Sequence, residues 1–398
     1  MKHASIIPLI GGEVIGAERA FGKRPEYLIS YDEFWNNDRH IVNYYDNEVP
    51  YYSITKGEKP HVQVDVIGSV CPCAGLSQMH HHYGENNQNN RWLIQSTEYV
   101  LGALKPQVLY GENAPGFAGK IGAGIREQMR QIGINYGYAM SVYRTKSLLH
   151  GVPQVRERSF YFFWKGDKVP VFNFYDTKHT LIEEVIATAR GNTLQEPINK
   201  KTPSQDPWYR FILEEIHGGI THAQFAKILE PAKARGNDTF SYIEKQGYTY
   251  DTVSKWMKDK GFEREAANAL RKKEKIDCGG NIMRRGTVVP KDYIGAFVGH
   301  YPTSLTHPVE DRYITYREAL SIMGMPDNFE LLDAGLKTAN HICQNVPVQT
   351  AHDMAFEIKE SLLGRRKYVD SKYFFGYNHS KTYECMDDYK TASLKEFI

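Results

Sequence analysis

Four residues could carry covalent chemistry: Cys73, Glu112, Arg156 and Arg158. Cys73 ends the run Cys71-Pro72-Cys73, which follows a stretch, Val62–Val70, that alternates and then becomes apolar. Such a stretch reads as a largely buried strand closed by a sharp turn. A cysteine at the carboxyl end of a strand in an α/β sheet sits where ligands gather. A thiol of ordinary pKa, about 8.5, needs activation before it attacks. Glu112 follows the expected strand Gln107–Tyr110, and a desolvated carboxyl group there can hold a proton. Arg156 and Arg158 alternate along an extended segment, so both fall on one side, and each offers a rigid donor fork. Thiol, acid and guanidinium groups together suit nucleophilic catalysis. Each has a plainer reading: a buried structural cysteine, an exposed turn and a solvated arginine pair.

Other residues could bind rather than react. Ile10-Gly11-Gly12 closes a short apolar run, and Asp32-Glu33 ends a second one. Glycines admit a close ligand, and an acid ending the second strand can take ribose hydroxyls. The plain alternative for the glycines is an ordinary strand–helix turn. Residues 78–92 form a long polar loop that contains His80-His81-His82. With Cys71 and Cys73 these histidines offer zinc-type ligands, but a C-x-C without a second cysteine pair is a poor zinc site. No metal is expected. The run Arg271-Lys272-Lys273 reads first as a solvated helix face and second as a contact for phosphate.

The elements that must position these groups follow from pattern. Strands are expected at 5–10, 27–30, 62–70, 107–110, 138–143 and 159–164, with helical stretches at 14–21 and 98–104. That alternation argues an α/β chain with a doubly wound, mostly parallel sheet. Residues 185–290 are polar and helix-prone and keep no strand–helix–strand rhythm. Apolar periodicity returns at 316–322 and 350–363. The expected organisation is a first domain over 1–178, an inserted domain over 179–305, a return over 306–375, and a tail over 376–398 with no assigned role.

With 398 residues and 41% hydrophobic residues, a full core is expected and wholesale disorder is not. A net charge of +2 and a pI near 8.1 permit a local basic cleft but do not argue nucleic-acid binding. Five cysteines, an odd number, suggest a reducing compartment rather than a disulfide framework. The apolar run Ile6–Ile10 is too short for a secretory core, and no stretch has the length of a membrane span. A soluble cytoplasmic protein is expected.

Five fragments in order resemble the DNA cytosine carbon-5 methyltransferases: Pro72-Cys73-Ala74-Gly75-Leu76-Ser77, Glu112-Asn113-Ala114, Gln154-Val155-Arg156-Glu157-Arg158, Arg312 through Thr315 to Arg317-Glu318, and Gln344-Asn345-Val346-Pro347. The resemblance covers roughly residues 5–178 and 305–364. It implies a Rossmann-like S-adenosylmethionine-dependent fold with an inserted DNA-recognition domain. It also implies methyl transfer to carbon 5 of a cytosine flipped out of double-stranded DNA. Cys73 would be the nucleophile, Glu112 the acid at ring N3, Arg158 the contact to the base and Arg156 an organiser. S-adenosylmethionine would lie against Ile10, Gly11, Gly12, Asp32, Glu33, Pro72, Asn345 and Val346. DNA would meet Ser77, Gln78, Arg271, Lys272 and Lys273. The implied protein is a monomer in a prokaryotic or phage-infected cell, in DNA modification of the restriction type. RNA cytosine methylation and an inactive DNA-binding relative are the other readings. The chain departs from the family's first loop, Asp-x-Phe-x-Gly-x-Gly-Gly: Ser5, Ile7 and Leu9 stand at Asp, Phe and the first Gly. An aspartate near the adenine is replaced at Ser53. Cys343 and Gln344 stand where Gly and Asn are usual.

Overall fold

The computed structural model describes residues 1–77, 84–191, 194–229, 237–282, 284, 286–299, 301–371, 375–377 and 382–384. The chain opens with β1 (His3–Ile6), α1 (Gly12–Phe21), β2 (Leu28–Ser30), α2 (Trp35–Tyr44), β3 (Tyr51–Ser53), β4 (Val66–Ser69) and α3 (Arg91–Tyr99). It continues with β5 (Val108–Asn113), α4 (Ala123–Asn135), β6 (Tyr138–Lys146), β7 (Gln154–Val155), β8 (Glu157–Lys165) and β9 (Lys168–Pro170). A helical stretch follows: α5 (Ile182–Thr188), α6 (Pro207–Phe211), α7 (His222–Ile228), β10 (Asn237–Asp238), α8 (Thr239–Lys245), α9 (Tyr250–Asp259) and α10 (Glu263–Asp277). The chain returns through β11 (Val288–Val289), β12 (Ile294–Gly295), α11 (Tyr316–Ile322), α12 (Leu336–Gln344), α13 (Val348–Leu362), β13 (Tyr368–Asp370), β14 (Phe375–Tyr377) and β15 (Thr382–Glu384).

The principal sheet has nine strands in the order β15-β14-β6-β8-β5-β4-β1-β2-β3. From β5 to β3 every neighbour is parallel. Antiparallel β8 sits between β5 and β6. All four residues of β1 and of β4 are buried, as strands covered on both faces must be. Helix α1 packs against α13, and α3 against α4. The returning β14 pairs with β6 and carries β15, so the C-terminal segment extends the sheet.

Two element boundaries differ from expectation for a physical reason. The strand expected over 5–10 stops at Ile6, because Ile7 and Leu9 take positive φ of 53° and 51°. A β-branched residue seldom adopts that conformation. Ile7 is held there by its N–H to the Ile29 carbonyl at 3.0 Å and by full burial of its side chain. The strand expected over 62–70 narrows to Val66–Ser69, since only Val66–Ser69 finds partners on both sides, in β1 and β5.

Three apolar clusters divide the chain. The first fills the sheet and its flanking helices. The second joins Ile10, Val14 and Ile41 to Ile182, Ile186, Ile294, Phe297, Leu320 and Ile342. The third belongs to the helical stretch and β11, running from Trp208 to Val289. The ends of the expected insertion therefore pack with the first domain, and the separately cored unit is narrower than 179–305. No helix among the described residues is long and apolar enough to cross a membrane.

Candidate active site

Strand pairing alone brings the reactive groups to one edge. In parallel β4 and β5, Ser69 stands beside Gly111, so Cys73 and Glu112 both leave at the carboxyl end. Antiparallel β8 enters at that same edge, with Ser159 opposite Asn113, and Arg158 precedes it by one residue. Arg158 Nε lies 2.5 Å from Glu112 Oε1, and both side chains are buried. The contact lacks the directionality of a hydrogen bond, so we describe it as a close ion pair. Asn113 shapes the turn: its Oδ1 accepts the Ala114 N–H at 2.9 Å and its Nδ2 donates to the Cys71 carbonyl at 3.4 Å.

The two cysteines have different surroundings. Burial pushes the Cys73 thiol up; Arg158 and Arg156 pull it down, and Glu112 pushes it up. Cys71 points into the core, where Ser69 Oγ, the Trp92 carbonyl and Ser96 Oγ lie 3.3, 3.5 and 3.6 Å from its sulfur. Only Cys73 feels the charged groups of the edge.

Arg156 acts as a tie between distant segments. Its Nη1 donates to the Phe297 carbonyl at 2.6 Å and the Cys343 carbonyl at 2.8 Å. Burial lowers its pKa to about 10, and the neighbouring Arg158 lowers it too. Gln154, fully buried, accepts from Phe297 N–H at 3.4 Å. Two residues past Cys343, Asn345 Oδ1 accepts the Gly12 N–H at 2.8 Å. A Cβ on Gly12 would lie 2.1 Å from the Val346 carbonyl oxygen, so only glycine lets the two segments meet. The connector between α12 and α13 thus joins the glycine loop to the arginine strand. The Arg312–Glu318 segment is built for folding: Arg312 makes two contacts to Glu318 at 2.9 and 2.7 Å. Thr315 and Glu318 cap α11 reciprocally.

The expected cofactor residues divide into two groups. Ile10 is fully buried in the second cluster, so its side chain faces core. Gly12, Asn345 and Val346 meet one another as described, whereas a Cβ on Gly11 would meet the Ile41 side chain. Asp32 and Glu33 are exposed in a short turn after β2. Asp32 accepts a hydrogen bond from Ser53 Oγ at 2.6 Å, placing the serine beside an acid. Trp35, 45% exposed, leans on Tyr51 at 5.1 Å. Pro72 is half-buried between the cysteines.

Of the expected DNA contacts, Ser77 is half-buried. Gln78 and His80-His81-His82 lie outside the described residues. Lys272 stacks over Phe240 at 4.7 Å, and Lys273 pairs with Asp251 at 2.7 Å. Arg271 is exposed and bonds Asn268 at 2.7 Å. All three cations therefore make contacts within the helical unit. Among the described residues no group of three His, Cys, Asp or Glu side chains is placed to hold a metal.

One buried acid escaped the sequence reading. Glu13, in the first turn of α1, accepts from Ser5 Oγ at 2.7 Å and from the Tyr110 hydroxyl. Ser5, Gly68 and Tyr110 form one row across β1, β4 and β5. A Cβ on Gly68 would sit 1.9 Å from Glu13 Oε1, so the glycine makes room for the carboxyl group. The available signal was position: Glu13, Ala17 and Ala20 share the buried face of α1. Burial raises the Glu13 pKa to about 7, against the pull of both hydroxyl bonds. The helix N-terminus also favours the charged form, by about 0.3–1 kcal/mol, too little to reverse the direction. The folded state therefore prefers the neutral acid. Its stabilising contribution is complete below the ordinary value of 4.5 and is lost as pH rises to about 7. The loss amounts to about 3 kcal/mol. Glu13→Gln, neutral at every pH, is expected to gain stability over the parent between pH 5 and 8, as read by denaturant unfolding at both.

The fold and its edge define an α/β methyltransferase-type chain with a thiol, an acid and two guanidinium groups at one sheet edge. The family model of C-5 cytosine-specific DNA methylases matches residues 1–360. The chain belongs to that family. A prophage-encoded E. coli protein assigned as a DNA modification methyltransferase superposes with a TM-score of 0.55 at 15% identity, covering 91% of this chain and 99% of its own. A methyltransferase of Entamoeba histolytica gives 0.52 at 13% identity, covering 91% and 98%. At such identities the likeness is one of fold. None of the curated protein sequences matches the chain significantly.

Proposed function

We propose that this methyltransferase uses S-adenosylmethionine to methylate carbon 5 of a cytosine flipped out of double-stranded DNA. The observation that carries the reading is the convergence of Cys73, Glu112 and Arg158 at the edge formed by the carboxyl ends of β4 and β5 and the start of antiparallel β8. Carbon 5 of cytosine is not nucleophilic on its own. The Cys73 thiolate adds to carbon 6, forming a carbon–sulfur bond and an enamine whose carbon 5 can attack. Glu112 shares a proton with ring N3 and draws electrons from the ring. Arg158 steadies charge on the base carbonyl and holds Glu112 in place. Once carbon 5 carries the methyl group, a base takes its proton, and the electron pair left behind re-forms the ring double bond, breaks the carbon–sulfur bond and releases the thiolate. Arg156 works at one remove, by tying the strand to the Phe297 and Cys343 carbonyls. The base must leave the stack for such an attack.

When bound, S-adenosylmethionine would supply an electrophilic methyl group and leave as the neutral thioether S-adenosylhomocysteine. The donor set suits its nucleoside end: Asp32 with Ser53 for hydroxyl and amino groups, Glu33 beside them, and the Gly11-Gly12 turn for close approach. Ile7 cannot stack as the family's phenylalanine does. An aromatic stack is worth about 0.5–1.5 kcal/mol and a hydrogen bond about as much. The donor is therefore expected to bind roughly tenfold to a hundredfold more weakly than at a site with both. Trp35, on the same turn as Asp32, is the available ring. Trp35→Ala is expected to weaken binding by about another threefold to tenfold in titration calorimetry. An unchanged affinity would take the adenine away from Trp35.

The direct test is nucleoside mass spectrometry of DNA and RNA from cells that express the chain. We expect 5-methylcytosine in DNA. Its presence only in RNA would move the substrate, and a heavier cytosine adduct would change the donor.

A further inference from the structure

A hydroxyl, an imidazole and a carboxylate are joined in line behind the arginine strand. Thr145 Oγ1 lies 2.8 Å from His150 Nε2, and His150 Nδ1 lies 2.8 Å from Asp353 Oδ2. Thr145 is on β6, His150 follows the turn after it, and Asp353 stands on α13, 203 residues further along the chain. All three are buried. The same groups in the same order form the triad of acyl-transfer enzymes, where the carboxylate fixes the imidazole and the hydroxyl attacks. Here Thr145 and His150 are sealed from solvent, at 0% and 1% exposure, so no substrate reaches the hydroxyl. The arrangement can hold a neighbour in place but cannot attack one.

Strand register says which neighbour that is. In the antiparallel pair of β6 and β8, Thr145 stands directly opposite Arg158. Directly opposite residues put their side chains on one face of the sheet. The flanking positions agree: Glu157 pairs with Arg144 at 2.6 Å and Lys146 at 3.2 Å, on the other face. On β5, Glu112 stands opposite Phe160, two residues past Arg158, and so shares the face of Arg158. The row that holds the Glu112–Arg158 ion pair therefore continues through Thr145 to His150 and Asp353. The His150 ring is itself fixed. Tyr175 lies against it at 4.8 Å and donates to Glu357 at 3.0 Å, which Arg366 holds at 2.7 and 2.8 Å. The second oxygen of Asp353 meets Gln349 Nε2 and His352 Nδ1 at 2.9 Å each. Burial pushes the Asp353 carboxyl up, but its bonds to His150 and His352 bring it below its ordinary value. The turn between Thr145 and His150 is also tied to the arginine strand, with the Ser147 N–H donating to the Arg156 carbonyl at 2.9 Å.

Resting on the reading of Cys73 as nucleophile, we propose that Thr145, His150 and Asp353 are positioning residues that hold Arg158 against Glu112 and so keep the Cys73 thiol ionisable. In the neutral ring, Asp353 takes the Nδ1 proton, and Nε2 accepts the Thr145 hydroxyl. With its proton committed to His150, the Thr145 oxygen turns only lone pairs to its other neighbours. That suits a guanidinium as the residue across the strand. The other tautomer would set a lone pair of Nδ1 against the Asp353 carboxylate and turn the hydroxyl hydrogen away from His150.

The test is the pH midpoint for alkylation of Cys73 in the full-length chain, read without DNA or methyl donor. Thr145→Val keeps the shape of the side chain and removes the hydroxyl. It is expected to move the midpoint upward by about 0.3–1 pH unit. His150→Phe is expected to move it the same way, and Thr145→Ser, which keeps the hydroxyl, to restore the parent value. Ser254→Ala is the control: it deletes a buried bond of like strength, to the Ala266 carbonyl at 3.0 Å in the helical unit, and leaves the midpoint unchanged. Nitrogen NMR of labelled histidines is expected to find the His150 proton on Nδ1. A midpoint that Thr145→Val leaves in place overturns the inference, as does one that Thr145→Val and Thr145→Ser move alike, or a His150 proton on Nε2 alone. Thr145→Val decides the matter even where His150→Phe does not fold, because it is nearly isosteric. A midpoint that moves as expected in a chain that methylates nothing removes the reaction and keeps the positioning residues. Methylated DNA with an unmoved midpoint does the reverse.

Discussion

Cys73→Ser is expected to lower methyl transfer by about three orders of magnitude or more, while binding to duplex DNA stays near that of the parent. A hydroxyl ionises far less readily than a thiol and adds poorly to carbon 6. Cys71→Ser is expected to keep most activity, because a hydroxyl suits a niche already lined by Ser69, the Trp92 carbonyl and Ser96. Trapping on duplexes that carry 5-fluorocytosine separates the two. The parent and Cys71→Ser form an adduct stable to denaturation, and Cys73→Ser forms none. The opposite pattern would assign the nucleophile to Cys71.

Arg158→Ala carries the next largest effect. Removing one partner from a buried ion pair costs about 3–5 kcal/mol, because the other charge is left uncompensated. Here that charge is Glu112, which already pushes the Cys73 thiol up. Loss of Arg158 also removes the strongest influence holding the thiol down. Transfer is expected to fall by about a hundredfold to a few thousandfold. The pH midpoint for alkylation of Cys73 is expected to move upward. Glu112→Gln is expected to move the same midpoint downward, since it deletes the anion and leaves the cation. Arg158→Lys recovers part of the first shift. Alkylation is read peptide by peptide, as exposed Cys278 also reacts. A midpoint that both variants leave in place would remove Arg158 and Glu112 from the control of the thiol.

Much of the parallel half of the sheet was visible in the chain, because strands buried on both faces read as short apolar runs between turns. The edge proposed to be reactive was visible for a related reason. A turn after a strand end is local, and Cys73, Glu112 and Arg158 each stand within a few residues of one. Pattern failed where backbone and pattern disagree. The run Ile6–Ile10 reads as strand, yet Ile7 and Leu9 turn left-handed because packing fixes them so. Nor does charge spacing say whether a cation at 271–273 meets Asp251, the Phe240 ring or solvent.

By itself, then, the amino-acid order determined the class of fold, the order of its motifs and the kinds of groups at its edge. These depend on contacts near in sequence and on the period of apolar residues. Tertiary structure alone decided how the site is held. Gly12 meets Asn345 across 333 residues, and Arg156 meets the Phe297 and Cys343 carbonyls across 141 and 187. Glu13 finds its partners on two strands, β1 and β5, and its pKa rises only once it is buried between them. Such contacts leave no local period, because burial and partner geometry exist only once the chain has closed on itself.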